Sequence, residues 1–187
     1  MSRLIILLFT LHGSLFTIYA QDVSFFKENI TMKIENGYFY VNGTYYLRPG
    51  GDTSIVLAYP FPPDSVYGKV DSVFIMDMES GQVIEPLDRR ENSLVFRAGF
   101  GISDEVAILI SYRQEIRANK AEYILKSTAA WRKPLEEATY QLIVPDSLRI
   151  VSFAYPPDDS IDTGQEKVYF WTKRNFMPLI NMIFEFE

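Results

Sequence analysis

Cysteine is missing from all 187 residues, and the one histidine is His12. Residues 13–187 therefore hold neither side chain needed for a Ser-His-Asp triad or a Cys-His pair. The usual ligands of zinc, copper and haem iron are missing with them. A disulfide framework is excluded too. Basic runs are also lacking. Arg89-Arg90, Arg132-Lys133 and Lys173-Arg174 are the only adjacent pairs, in a chain with 18 Lys+Arg, 24 Asp+Glu and a formal charge of −6. An acidic chain without a basic stretch is a poor ligand for phosphate backbones, so no nucleic-acid partner is expected. Beyond the first twenty residues no stretch reaches the ~18 apolar residues of a spanning helix.

Those first twenty residues read as a secretory signal. Arg3 supplies a positive start, Leu4 to Phe9 an apolar run, and Ile18 and Ala20 the −3 and −1 positions before Gln21-Asp22, with the small Ala20 at the cut. His12, Gly13 and Ser14 interrupt the apolar stretch, which argues against a membrane anchor. The expected organisation is a signal peptide over 1–20 and a single domain over 21–187. The product is expected to be exported, to the periplasm or the medium, with no membrane span in the remaining chain. Loss of Arg3 takes the formal charge from −6 to −7. About 167 residues form a core without covalent staples.

The sequence is 48% hydrophobic and 15% aromatic, which supplies a large core. Its apolar residues alternate with period two almost throughout. Ile30, Met32 and Ile34 alternate with Thr31 and Lys33. Tyr38 to Leu47 is aromatic and β-branched, with Asn42-Gly43 as a turn or bulge. Ile55, Leu57, Tyr59 and Phe61 alternate up to Pro62-Pro63. Val106, Ile108, Ile110 and Tyr112 alternate with Ala107, Leu109 and Ser111, so this strand is apolar on both faces and reads as central. Only Arg132 to Ala138 looks helical, with Pro134 at a first helical position and Glu136-Glu137 in the first turn. The fold expected is all-β: an antiparallel β-sandwich of about ten strands with one short helical segment.

Three fragments imitate functional motifs. Asp162-Thr163-Gly164 spells the aspartic-protease triplet, but it follows a polar loop and reads as a solvated turn. Ser24-Phe25-Phe26-Lys27 matches S-x-x-K without its partner motifs. Asp158, Asp159, Asp162 and Glu166 supply Ca²⁺-type ligands at no EF-hand spacing and read as an acidic surface loop. No catalytic residue, metal or cofactor is expected. Asn29-Ile30-Thr31 and Asn42-Gly43-Thr44 are glycosylation acceptors in a host that glycosylates. The aromatics fill the core and cross-strand pairs, or they leave a sugar-stacking platform.

The run Ile30-Thr31-Met32-Lys33-Ile34-Glu35, the aromatic strand Tyr38 to Leu47 and then Tyr59-Pro60-Phe61-Pro62 resemble the opening of exported β-sandwich families. They are also similar to VIT-type domains, where a strand pair precedes an F-P or P-F-P turn. The resemblance implies a sandwich and an interaction role, and it carries no catalytic residue.

The function expected is a non-catalytic accessory or protein-interaction module of the cell envelope or medium. A carbohydrate-binding module and a small outer-membrane β-barrel are the alternatives. The partner, protein or glycan, and the oligomeric state are not specified by these residues. Binding is expected on the loop Pro60 to Tyr67 and the segment Ala129 to Glu137, which interrupt strong strands with Pro-containing connections. Tyr67 and Trp131 are the expected anchors and Arg132 a charged fork.

Overall fold

A two-residue turn starts the main sheet. In the computed structural model, which describes residues 23–51, 54–101 and 103–187, β1 (Ser24–Glu35) and β2 (Tyr38–Arg48) form a hairpin with Glu35 opposite Tyr38. Asn36 and Gly37 both take positive φ, 53° and 78°. That is the geometry a tight hairpin requires and Asn-Gly adopts easily. The turn is therefore at Asn36-Gly37. Asn42-Gly43 runs straight through β2, in register with β1 on one side and β7 (Val106–Glu115) on the other. The expected signal segment 1–20 lies outside the described residues.

The remaining elements are β3 (Ser54–Pro60), the one-turn helix α1 (Asp64–Tyr67), β4 (Val70–Asp77), β5 (Asp88–Arg90), β6 (Ser93–Gly99), β8 (Lys120–Tyr123) and a 3-10 helix (Lys126–Trp131). Then come β9 (Leu135–Pro145), β10 (Ile150–Phe153), β11 (Asp159–Asp162), β12 (Glu166–Phe176) and β13 (Met182–Phe186). Seven strands form one sheet in the order β11-β12-β9-β1-β2-β7-β4. Two three-stranded sheets, β10-β13-β8 and β3-β6-β5, cover one of its faces. Phe184 packs on Phe39 and Trp171, and Tyr59 packs on Tyr45 and Tyr112.

The all-β expectation matches this layered architecture. The sheet is mixed rather than purely antiparallel, because β1 and β9 run parallel from Lys27 opposite Glu137 to Lys33 opposite Ile143. It also stays open, with β11 and β4 as edges. β11 is exposed throughout and carries Asp159 and Asp162, the charged edge that discourages further strand pairing.

The expected helix at Arg132 to Ala138 is replaced by the start of β9. The helical turn lies just before it, at Lys126–Trp131, and Arg132 ends it in the left-handed region at φ 58°. Glu136 and Glu137 do not serve a helix terminus. They pair across the sheet with Arg48 and Lys27. The core runs along the covered face: Ile30, Met32 and Ile34 of β1, Phe39 and Val41 of β2, Val106, Ile108, Ile110 and Tyr112 of β7, and Leu142 and Val144 of β9.

Candidate functional site

On the covered face of β1 the inward positions read Glu28, Ile30, Met32 and Ile34. Glu28 is thus a core residue by parity, and it is 2% exposed. A register shift between Phe25 and Lys27 turns Phe25 inward beside it. Both oxygens of the carboxylate are engaged. Tyr140 on β9 donates its hydroxyl to Oε1 at 2.5 Å, and Tyr123 on β8 donates to Oε2 at 3.1 Å. The Tyr45 hydroxyl lies 3.0 Å from that of Tyr123 and 2.7 Å from that of Tyr59.

An ionised carboxylate only accepts, and each tyrosine has one proton to give. The Tyr123 proton goes to Glu28, so Tyr45 donates to Tyr123 and Tyr59 donates to Tyr45. The result is a directed relay from Tyr59 through Tyr45 and Tyr123 to Glu28. Gly43 makes room for it: a Cβ there would sit 2.5 Å from the Tyr45 hydroxyl and 2.8 Å from Ile30 Cδ1.

Burial raises the Glu28 pKa to about 7, against the lowering effect of the Tyr140 and Tyr123 hydrogen bonds. Burial likewise pushes the Tyr45, Tyr59 and Tyr123 hydroxyls well above the ordinary tyrosine range. Glu28 takes part in none of the ion pairs found among the described residues.

Glu28, Tyr45, Tyr59 and Tyr123 also line a cavity of about 80 Å³. The rest of the lining is mostly apolar, Phe25, Leu57, Phe96, Ile108 and Ile110 among it, with Ser127 and Thr128 the remaining hydroxyl residues. Apart from Tyr45 on β2, the partly exposed lining residues come from β3 (Leu57, Ala58, Tyr59, Pro60) and from the segment around the 3-10 helix (Ile124, Ser127, Ala130, Trp131). The opening therefore lies between these two elements. Trp131 is half-buried there, its ring 5.8 Å from that of Phe25.

The two segments singled out in the sequence meet at this opening, through Pro60 on one side and Ala130 and Trp131 on the other. Tyr67 and Arg132 are not among the lining residues. Tyr67 is buried at the end of α1, under the Lys120 ammonium at 5.2 Å, and burial together with nearby Glu122 pushes its hydroxyl up to about 12. Arg132 is exposed beyond the opening.

The motif-like fragments take ordinary roles. Asp162-Thr163-Gly164 closes the β11–β12 hairpin: Gly164 N–H donates to Asp162 Oδ1 and Thr163 N–H to the Glu166 carbonyl. Asp158 is paired with Lys173, and Glu166 with Lys33. Asn29 is held between Tyr46 and Thr139 on the open face of the sheet, whereas Asn42 on the same face is exposed.

No family model and no curated protein matches the sequence. Solved structures do share the fold. A candidate nutrient-binding protein of Legionella pneumophila superposes with a TM-score of 0.70 at 13% identity, over 88% of this chain and 67% of its own. An M1 zinc metallopeptidase bound to L-tryptophan gives 0.53 at 9% identity, over 88% of this chain and 43% of its own. The M1 zinc metallopeptidase of Deinococcus radiodurans gives 0.51 at 10%, over 88% and 42%. The chain thus spans less than half the length of these peptidases, and at such identities the likeness is one of fold.

Proposed function

We propose that this chain is an exported, non-catalytic accessory module that binds a small ligand or a protruding side chain in the cavity beside Trp131. The carrying observation is the cavity itself: a mostly apolar hollow with a buried carboxylate and a hydroxyl relay along one side. A concave apolar site with a few converging polar groups is the usual form of a binding pocket. The non-catalytic part rests on composition, since His12 is the last histidine and the chain has no cysteine. The VIT-like opening and the fold shared with a candidate nutrient-binding protein agree with a binding role. The peptidase likeness contributes the fold and no activity.

Tryptophan emission tests the reading, because Trp131 lines the cavity and Trp171 is fully buried. Small apolar probes titrated into the full chain should change the emission saturably. In Ala58→Phe, where the new ring obstructs the opening, the response should disappear with the melting temperature little altered. A response unchanged by Ala58→Phe would place binding elsewhere.

A further inference from the structure

We propose that the cavity takes a small organic cation, a primary ammonium group seated against Glu28 with a short alkyl chain between Phe25, Leu57, Phe96 and Trp131. The inference rests on the binding-module reading and names its ligand class.

The first argument is the sign of the site. Glu28 is the one charged side chain in the lining and has no cationic partner among the described residues. A buried carboxylate without a cation is costly, and a ligand that brings the cation relieves that cost. The second argument is hydrogen-bond polarity. With every relay proton committed towards Glu28, the oxygens of Tyr59, Tyr45 and Tyr123 have only lone pairs left to offer. Glu28 also retains acceptor capacity, because a carboxylate takes about four hydrogen bonds and receives two here. The relay side, which offers only acceptors, suits a donor-only head. Ammonium has three donors and no acceptor, whereas carboxylates and phosphates would be repelled.

The third argument is shape. Phe25, Tyr45, Tyr59 and Trp131 present rings, whose faces attract cations. The volume of about 80 Å³ is about half that of an engineered ~150 Å³ cavity that holds benzene, so a short chain fits and a sugar ring does not. A bare metal ion would find one carboxylate and otherwise neutral hydroxyls, without the set of carboxylate and carbonyl oxygens that Ca²⁺ takes.

The test compares butylammonium, butan-1-ol and butyrate as probes of the full chain, by calorimetry at pH 8 with Trp131 emission in parallel. Butylammonium should bind at least about tenfold more tightly than butan-1-ol, and butyrate should not bind. Glu28→Gln should bring ammonium and alcohol to equal affinity. Equal affinity in the wild-type chain would overturn the cation assignment and leave the binding reading standing. No response to any probe would overturn both.

If Glu28→Gln does not fold, a pH series on the wild-type chain decides. The groups facing Glu28 are Tyr45 on β2, Tyr59 on β3, Tyr123 on β8 and Tyr140 on β9, all raised above the ordinary tyrosine range. Glu28 alone therefore titrates near pH 7 in the site. Ammonium affinity should rise through that pH while alcohol affinity stays flat. A flat ammonium profile would sink the assignment.

Discussion

Glu28 occupies a position where the β1 pattern calls for an aliphatic side chain, and its protonation state is coupled to folding. Burial raises its pKa from 4.5 to about 7. The folded chain therefore binds more protons than the unfolded chain between those values, and stability falls as pH rises through that window. The effect is complete above about pH 7 and amounts to roughly 3 kcal/mol. Asp71, beside Arg113, and Asp158, beside Lys173, are lowered by hydrogen bonds from those partners. Their contribution has the opposite sign and is lost only on acidification below the Glu28 window. The difference between wild type and Glu28→Gln isolates the residue. Urea denaturation of both from pH 4.5 to pH 8 should show the wild type losing roughly 3 kcal/mol relative to the variant. A constant difference across that range would mean that Glu28 does not titrate there.

Among the elements, strands were legible because burial on one face imposes period two; β7 follows it residue by residue, β1 from Lys27 onward, β9 from Ala138 onward and β2 up to Gly43. The same parity points to Glu28, two positions before Ile30. A carboxylate in an inward register is the signal that finds the site, and reading β1 from Ile30 onward hides it. The helix was misplaced because Pro134 and Glu136-Glu137 suit a helix start locally, whereas ion pairs to Arg48 and Lys27 hold both glutamates on a strand. The parallel β1–β9 pairing leaves no local trace, since everything from β2 to the 3-10 helix lies between the partners. Trp131 was reached from its Pro-containing segment, while the burial of Tyr67 under Lys120 depends on β8 packing against α1 and is invisible in sequence.

Gly43 and Gly99 turn the strand geometry into a paired measurement. Gly43→Ala forces a Cβ against the Tyr45 hydroxyl and Ile30, both fixed in the core, and should cost about 1–3 kcal/mol by urea denaturation. Gly99, at the end of β6, has open space around it and no positive φ, so Gly99→Ala should be neutral or stabilising by up to about 1 kcal/mol. Equal costs at the two positions would mean that Tyr45 is free to move and that the relay is not rigid.

At the scale of the whole molecule, β1 is the first strand among the described residues and a central one, paired with β2 on one side and β9 on the other. On the export reading, the leader has to be removed without cutting into Ser24–Glu35, since Phe25 and Glu28 build the cavity. Cleavage after Ala20 meets that condition. It leaves Gln21-Asp22-Val23 ahead of the strand. Expressed from its full gene in a secreting host, the chain should be recovered outside the cytoplasm with Gln21 as its amino terminus, as read by intact mass. Ala20→Glu places a charged side chain where the peptidase needs a small one, and should leave a heavier, membrane-retained species that still carries Met1. The processed wild type should show the tryptophan response of the cavity, because the cut spares every residue that lines it. Wild-type chain found in the cytoplasm with residues 1–20 attached would end the export reading and leave the cavity and its ligand chemistry intact.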